Sequence, residues 1–544
     1  MSRVLSVLAA TALTVVLAAP VSSVGRRVTV VREAPVSVAP TSLSTRSREP
    51  ILAAHPTDPK RIAVVYPEGD RSPRNVIRIS HDSGRTFVTA AGDPVGGGNH
   101  PAIAWGRGPK AGSARLYYMG MTSSGGRCCS FAISWSDNEG RTWSAPYVAR
   151  ATTPWFGGYP DLATDTNPRS PNYGTVYAVY NWPANPSKGP GLRLLASSNY
   201  GRSFHGIEVP IARPPTGYGD TWRIDYRIRT AADGSAYVAF YQRDVRAWTM
   251  ANPFSTGGMY NVGRIGFSVA RVVYHRAAGT FSLGPTVMAA RLPETSWNLG
   301  MGSPVSGLTD PMWCFGLDVD PATGMVYLAV GVDGKIRVYR SSDRGRTWRY
   351  QTIPAAAAVA GRSQSAFRPN VVAGPGFLVV TLHTIDRSGL SRTVGNAFSA
   401  SFDAGVTWTR PTPISGSRWR TRDFGSTYMG VGLRERAILT AGGANVFVAY
   451  GDGRMATGGR TGFSRIYGAL LSVAAPPPTP APTPAPTPSP APTPSPSATA
   501  PPSPSPSPTA PPSPSPEFTP AATPSLPSGP TPTLDQGPST SPGP

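Results

Sequence analysis

One eight-residue pattern occurs five times in the chain, and it constrains the fold more than any other feature of the sequence. Its template is Ser, any residue, Asp or Asn, any residue, Gly, any residue, Thr or Ser, and then Trp or Phe. The five copies are Ser80–Phe87, Ser136–Trp143, Ser197–Phe204, Ser341–Trp348 and Ser401–Trp408. Repetition of one unit at long intervals is typical of folds built from similar supersecondary units that pack against their neighbours.

Each copy lies between two apolar, strand-like runs, and its residue types predict a hairpin loop. The glycine can adopt the positive φ that a tight turn between strands requires. The Asp or Asn can accept hydrogen bonds from backbone N–H groups of the turn, and the aromatic residue can anchor the loop below it. This predicts structural roles at the third position of the five copies, namely Asp82, Asn138, Asn199, Asp343 and Asp403.

The octapeptide resembles the Asp box, or BNR repeat, of the sialidase superfamily. In that family the box joins the third and fourth strands of a β-propeller blade, so the resemblance implies an all-β protein formed by a single propeller. The box glycines lie 56, 61, 144 and 60 residues apart. The long interval predicts one blade without a box, with strands near Ala236–Tyr241, Ile265–Tyr274 and Thr286–Ala289.

Runs rich in Val, Ile, Tyr and Ala, bounded by Gly, Pro and Asp, mark the strands of seven units. We therefore predict a seven-bladed propeller over residues 25–474, with six blades as the alternative. The last unit shows only three strands before residue 475. The strand-like run Arg27–Arg32 is expected to complete it as its outer strand, because an open ring would leave an unpaired edge.

Two terminal segments are expected not to belong to this domain. Residues 1–24 contain Arg3, the apolar run Val4–Leu17 and small residues after it, which is typical of a secretory signal peptide. Residues 475–544 consist largely of Pro, Thr, Ser and Ala and are expected to form a disordered, extended stalk. These segments predict a secreted or cell-surface protein whose mature chain does not insert into a membrane.

The formal charge of the chain is +22, and the stalk contributes two acids and no base, so the remainder carries +24. Nearly all the bases are arginines, and they are scattered along the chain with no dense basic run. This distribution favours an acidic glycan or glycoprotein, or a cell-surface polymer, over specific nucleic-acid recognition. Cys128, Cys129 and Cys314 could form one disulfide in an oxidising compartment, and the pairing is open.

No spacing of Cys and His predicts a zinc site. Each box holds at most two carboxylates, whereas calcium requires six or more oxygen ligands. The sequence therefore predicts no metal site and no cofactor, with a bound structural calcium ion as the open alternative.

The residues at the start of each innermost strand should converge at one mouth of the central channel, where propellers usually bind ligands. Arginines and aromatic residues there suit an acidic sugar, because guanidinium groups bind carboxylates in a bidentate manner and aromatic rings stack on sugar rings. The predicted substrate-binding residues are Arg48, Arg223, Arg227, Arg368 and Trp313.

The resemblance to sialidases also implies catalytic candidates. Sialidases use an arginine cluster for the substrate carboxylate, a tyrosine nucleophile activated by a glutamate, and an aspartate as acid–base catalyst. The matching candidates are Tyr428 as nucleophile, Glu49 as its partner, and Asp161 or Asp225 as the acid. The Arg-Ile-Pro motif of the family is absent, and each candidate also has a structural interpretation in strand capping, packing or blade-to-blade salt bridges.

Two functions remain open at this point. One is a propeller that binds glycans at its channel mouth without turnover, or a scaffold that binds protein. The other is a retaining exo-α-sialidase-like glycoside hydrolase.

Overall fold

The computed structural model is a seven-bladed β-propeller, which confirms the predicted all-β class and blade number. It describes residues 26–69, 73–98, 100–122, 130–149, 160–185, 189–210, 222–243, 265–292, 315–386, 393–420, 435–456 and 463–474. The signal-peptide segment 1–24, the stalk 475–544 and the three cysteines lie outside these residues. Their assignments remain predictions.

Each blade is an antiparallel sheet of four strands, ordered from the channel outward, and the strands are numbered along the chain. Blade 1 contains β2 (Ile51–Ala54), β3 (Ile62–Glu68), β4 (Arg74–Ser80) and β5 (Val88–Thr89). Blade 2 contains β6 (Ala102–Arg107), β7 (Ala114–Thr122), β8 (Ser130–Ser136) and β9 (Tyr147–Ala149). Blade 3 contains β10 (Asp161–Thr164), β11 (Val176–Asn185), β12 (Gly189–Ser197) and β13 (His205–Val209).

The remaining blades follow the same plan. Blade 4 contains β14 (Trp222–Thr230), β15 (Ser235–Arg243), β16 (Ile265–His275) and β17 (Thr280–Leu292). Blade 5 contains β18 (Gly316–Val319), β19 (Val326–Val332), β20 (Lys335–Ser341) and β21 (Arg349–Thr352). Blade 6 contains β22 (Gln364–Gly374), β23 (Phe377–Asp386), β24 (Thr393–Ser401) and β25 (Thr412–Pro413), with β26 (Trp419–Arg420) also paired to β24. Blade 7 contains β27 (Glu435–Leu439), β28 (Asn445–Asp452), β29 (Arg465–Val473) and β1 (Val28–Pro35).

The N-terminal strand closes the ring, as predicted. β1 pairs with β29 in antiparallel register from Val28 opposite Val473 to Pro35 opposite Tyr467, with a bulge between Val30 and Arg32. The innermost strands of neighbouring blades contact one another all the way round, including β27 against β2. The seventh blade therefore combines the two ends of the domain, and no blade edge is left open between the first and last units.

Seven hydrophobic clusters fill the seven interfaces between blades, one cluster at each interface. Side chains alternate along a strand, so each sheet supplies two apolar faces. In β3, for example, Ile62, Val64 and Tyr66 pack towards blade 7, while Ala63 and Val65 pack towards blade 2. This explains why the second strands read as continuous apolar runs.

The direction of the strands defines the two faces of the disc. Innermost strands begin on one side, which we call the mouth face. Since the four strands of a blade alternate in direction, the first-to-second turns and the third-to-fourth hairpins both lie on the other side, which we call the box face. The five octapeptides occupy the third-to-fourth hairpins of blades 1, 2, 3, 5 and 6.

The boxes share one hydrogen-bond pattern. In blade 1, Asp82 Oδ1 accepts hydrogen bonds from the N–H groups of Arg85 and Thr86, both at 2.9 Å, and Asp82 Oδ2 accepts one from the Thr86 hydroxyl at 2.7 Å. The Gly84 N–H donates to Ser80 Oγ at 2.7 Å. These hydrogen bonds, opposed by desolvation, lower the pKa of Asp82 to about 2. Where the third residue is Asn138, its Oδ1 accepts from the Thr142 N–H at 2.9 Å.

Three of the boxes also attach their blade to the one before it, which the sequence did not predict. The carbonyl group of the fourth box residue accepts a hydrogen bond from an arginine of the preceding blade in three boxes. Arg32 donates to Ser83, Arg115 donates to Tyr200 at 2.8 Å, and Arg340 donates to Ala404 at 3.1 Å. That fourth residue has positive φ in all five boxes, which turns its carbonyl group outward.

Two blades lack a box for different reasons. In blade 4, β16 and β17 are joined by a turn in which Gly279 has φ 66° and its N–H donates to the His275 carbonyl at 2.8 Å. In blade 7, the position of the hairpin is taken by the end of β29 and the start of β1. There the Ala474 N–H donates to the Arg27 carbonyl at 3.0 Å.

Among the described residues, helix is limited to the single turn Leu43–Thr45. None of the described helices has the length and apolar character needed to cross a bilayer.

Two box glycines offer a matched test of this packing. Gly84 and Gly345 both have φ +84°, but a Cβ added to Gly84 would lie 2.2 Å from Phe447, whereas one added to Gly345 would lie 3.7 Å from Tyr237. We expect Gly345→Ala to lower the free energy of unfolding by about 1 kcal/mol, because it adds only backbone strain. Gly84→Ala should cost about 1–3 kcal/mol more, because it also overpacks the interface between blades 7 and 1. Denaturant titration of the two variants tests this, and equal losses would contradict it.

Candidate functional site

The mouth face collects five buried arginines near the starts of innermost strands. They are Arg46 and Arg48 before β2, Arg227 in β14, Arg368 in β22 and Arg436 in β27, and each is at most 6% exposed. They come from blades 1, 4, 6 and 7. The innermost strands form one closed ring around the channel. Arginines near the starts of these strands therefore lie around the same mouth of the channel. Buried guanidinium groups are costly to desolvate, so such a concentration is unusual for a surface that serves packing alone.

Three residues at the starts of innermost strands hold a left-handed backbone conformation. Glu49 has φ 50°, His100 has φ 44° and Arg368 has φ 51°. All three are non-glycine residues and all are buried. Left-handed φ in a non-glycine residue costs roughly 1–3 kcal/mol and tends to occur at functional sites. Outside the boxes, such strain in the described residues is otherwise found only at Asp333 and Ala360.

Glu49 and His100 connect blades 1 and 2 at the mouth face. The Glu49 Oε2 atom lies 3.8 Å from His100 Nδ1, and both side chains are at most 5% exposed. The segment that carries Glu49 is fixed to blade 7, because the Ser47 N–H donates to the Ser464 carbonyl at 3.1 Å and the Ser464 hydroxyl donates back to Ser47 at 2.7 Å. Glu49, the residue after Arg48, therefore places a buried carboxylate at this part of the mouth.

Arg368 lies at a bulge in β22, where the pairing with β23 shifts between Phe367 and Asn370. The neighbouring His383 is fully buried, and burial together with the charge of Arg368 lowers its pKa to about 3. His383 is therefore neutral at physiological pH. The pair contributes one positive charge to the mouth, held by Arg368.

Arg227 is held between blades 4 and 5. Its guanidinium carbon lies 5.2 Å from the centre of the Phe315 ring, and Nη1 donates to the Tyr226 carbonyl. Asp225, two residues before Arg227, is the extra residue of a bulge between Ile224 and Tyr226. The bulge shifts the register so that Tyr226 and Ile228 enter the cluster shared with blade 3.

Asp161, a predicted acid, belongs to a chain of polar contacts across four blades, from blade 3 to blade 6. Its Oδ2 accepts hydrogen bonds from the Ile228 N–H and from Arg229 Nη1, both at 3.0 Å. Arg229 Nε in turn lies 3.9 Å from Asp318 Oδ1. Asp318 Oδ2 accepts from the Ala373 N–H of blade 6 at 2.8 Å. Burial raises the pKa of Asp318 to about 6, although the charge of Arg229 opposes this rise.

These contacts give Asp161 a structural role, since its carboxylate already joins blades 3 and 4. Asp318 has a raised pKa, and ionisable groups with shifted pKa values are often found at functional sites. The sequence reasoning missed Asp318. The sequence feature that could have indicated Asp318 is the presence of a charged residue within the short apolar strand Gly316–Val319.

Several predicted residues cannot be placed in this way. Tyr428 and Trp313 lie outside the described residues, and the side chains of Arg223 and Asp225 are not described although their backbone lies in β14. The structure therefore brings Arg48, Glu49, Arg227 and Arg368 to the mouth face. It adds Arg46, His100, His383 and Arg436, which were not among the predicted site residues.

Within the part of the chain that the structure describes, no group of three or more His, Cys, Asp or Glu side chains is arranged to hold a metal ion. The chemistry available to the described mouth residues is that of guanidinium, carboxylate and imidazole groups.

Comparison with known proteins found no matching family model and no matching curated protein. Among solved structures, the chain is similar to an ulvan lyase of polysaccharide lyase family PL25, with 14% identity over 80% of this chain and 96% of that chain and a TM-score of 0.43. It is also similar to the endosialidase of phage phi92, with 10% identity over 83% of this chain and 69% of that chain and a TM-score of 0.39. A third match is an α-L-arabinofuranosidase from Fusarium graminearum, with 10% identity over 65% of this chain and 92% of that chain and a TM-score of 0.37. At these values the likenesses carry no argument about ligand or reaction.

Proposed function

We propose that this protein is a secreted or cell-surface, sialidase-like propeller that binds an acidic glycan at its mouth face. The observation that carries the proposal is the set of five buried arginines supplied by four blades around the channel. Among the described starts of innermost strands, Glu49 is the buried carboxylate beside these five arginines. The buried carboxylates at the mouth ends of second strands, Glu68, Asp386 and Asp452, pair with other arginines. A carboxylated sugar supplies the complementary charge.

The arrangement suits recognition of a carboxylate because the donors are held in place before the ligand arrives. Arginine presents its N–H groups in a planar fork, and a buried fork loses little freedom when it binds. The neighbouring His383 is neutral and therefore adds no charge of its own next to Arg368. Lysine is nearly absent from the folded part, which fits a site built on bidentate contacts rather than on point charges.

Turnover is the second candidate, and the presence of Glu49 at the mouth favours testing it. In the sialidase scheme a tyrosine, here Tyr428, would attack the sugar after activation by a glutamate, and an aspartate would transfer the proton. Release of a fluorophore from a sialic-acid aryl glycoside measures this directly. If the chain is an enzyme of this kind, Tyr428→Phe abolishes the release; if the chain only binds, wild type and variant are equally inactive.

The binding proposal is tested with two ligands that differ only in the acidic sugar. Titration calorimetry with sialyllactose and with lactose should show binding of the first and none of the second. The same contrast between an oligogalacturonate and its methyl ester tests whether any carboxylated sugar suffices. Equal affinity for lactose and sialyllactose, or no binding of any carboxylated sugar, would refute the proposal.

A further inference from the structure

The box face of the disc carries a second set of arginines, distinct from those at the mouth. Four of the five boxes have arginine directly after the glycine, namely Arg85, Arg141, Arg202 and Arg346, and all four are exposed. The boxes are equivalent positions of successive blades, so the arginines repeat around the rim. Blades 4 and 7 add Arg276 and Arg27 at their own hairpin positions, both exposed. Only blade 6 has an apolar residue there, Val406.

The carboxylates of this face are engaged with partners in the protein. Asp137 pairs with Arg115 at 2.6 Å, and Glu139 pairs with Arg61 at 2.6 Å and with His81 at 2.7 Å. The box aspartates accept hydrogen bonds within their own loops. Nearer the axis, the first-to-second turns add exposed Lys60, Lys110 and Arg169.

At the box of blade 1, the positive charges of Arg32 and Arg85 lie close enough together to influence each other. Burial and the charge of Arg85 both lower the pKa of Arg32, which itself donates to the carbonyl groups of Asp82 and Ser83. An anionic partner at this rim would relieve such repulsion. The affinity for such a partner would fall as the salt concentration rises, as for all interactions between exposed charges.

We propose that the box face binds a linear anionic polysaccharide along an arc formed by Arg85, Arg141 and Arg202. These residues belong to blades 1, 2 and 3, which are neighbours, so a chain with regularly spaced charges can contact them in succession. The arc has no exposed aromatic side chain on which a base could stack, because the box aromatics Phe87, Trp143 and Phe204 are half-buried. Single-stranded nucleic acid is therefore a poorer fit.

The box face differs from the mouth in the kind of contact it offers. At the mouth, buried arginines suit one sugar carboxylate in a fixed orientation. At the box face, exposed arginines suit a polymer that is held by many weak contacts. A protein with both could hold a polymer on one face while the opposite face binds an acidic sugar.

The test uses the triple variant Arg85→Gln, Arg141→Gln and Arg202→Gln in the full chain. The matched control removes three exposed arginines from the mouth end of the blades, Arg74→Gln, Arg291→Gln and Arg362→Gln, so the net charge falls equally. Binding of a size-defined heparin oligosaccharide is measured at low salt, with thermal melting to verify folding. The arc variant should bind about tenfold more weakly or worse, with a shallower salt dependence, while the control should bind as wild type does.

The proposal is overturned if both variants lose affinity equally, because net charge alone then explains binding, or if neither loses affinity. It is also overturned if duplex DNA or phosphatidylglycerol vesicles bind more tightly than heparin and lose affinity in the arc variant. Sialyllactose affinity should be unchanged in the arc variant. Sialyllactose binding tests the mouth face and heparin binding tests the box face, so the failure of one proposal can be told from the failure of the other.

Discussion

A chain that begins at Val36, and so lacks β1, is expected to lose the cooperative thermal unfolding transition of the closed ring. β1 supplies the fourth strand of blade 7, and its Val28 and Val30 pack against the cluster between blades 6 and 7. Glu33 on the same strand accepts hydrogen bonds from Tyr450, Arg454 and, at 3.1 Å, the Ser415 hydroxyl. Removal exposes the edge of β29 along its length.

The expected loss is large because several contributions disappear together. Exposure of a few aliphatic side chains at about 1–2 kcal/mol each, with loss of the strand ladder, amounts to more than about 5 kcal/mol. That is a large share of the stability of an ordinary domain, about 5–15 kcal/mol. The buried Asp452 would also lose part of its network, since Arg454 bridges it to Glu33.

Differential scanning calorimetry and near-ultraviolet circular dichroism measure this effect. Two controls accompany the deletion: a chain that starts at Gly25, which keeps β1, and a synthetic peptide of residues 26–36 added to the truncated chain. The first should melt as the full-length protein does, and the second should restore part of the transition. A truncated chain that melts at the unchanged temperature would show that β1 is not what closes the ring.

Replacement of Arg368 by Met is expected to weaken binding of an acidic sugar by about 30-fold or more. Arg368 is 1% exposed, so a ligand carboxylate that reaches it forms a desolvated, charge-assisted contact. Removing one partner of such a contact costs about 2–5 kcal/mol. Lysine keeps the positive charge but lacks the planar guanidinium group. The affinity of Arg368→Lys for the acidic sugar should therefore lie between those of Arg368→Met and the wild type.

The control for Arg368 is Arg362→Met, which removes the same charge six residues earlier from a side chain that is 47% exposed. It should change the affinity for sialyllactose by no more than about twofold. The titration of His383, followed by NMR, reports on the site without any ligand. Because the charge of Arg368 contributes to the low pKa of His383, that pKa should rise in Arg368→Met and less so in Arg368→Lys. Loss of sugar binding with no change at His383 would indicate that Arg368 does not lie where we place it.

Much of the fold could be predicted because its determinants are local. Each box specifies its own hairpin through residues at most four positions apart, as between Asp82 and Thr86. The doubled interval between the third and fourth boxes shows the blade that lacks one. The closing role of β1 could also be inferred, since a ring with a three-stranded last blade requires a strand from elsewhere.

The candidate site could be predicted only in part because its contacts join distant residues. Arg229 and Asp161 are 68 positions apart, and nothing in either local sequence indicates their pairing. Asp161 was a candidate for the catalytic acid, and this stays a prediction. The structure adds a contact between blades that the sequence did not indicate. Arg46 and Arg436 lie close to the starts of β2 and β27, but nothing in their local sequence indicates that their side chains are buried. The arginine after the glycine in four of the five boxes was visible in the sequence, but its position on the face opposite the mouth follows only from strand direction.

The most direct measurement is a crystal structure of the protein soaked with sialyllactose. If the mouth binds acidic sugars as proposed, the sialic acid lies at the mouth face with its carboxylate within hydrogen-bond distance of the Arg368 guanidinium and of at least one arginine from another blade. Sugar bound elsewhere, or a mouth in which no arginine contacts the carboxylate despite binding in solution, would contradict the account.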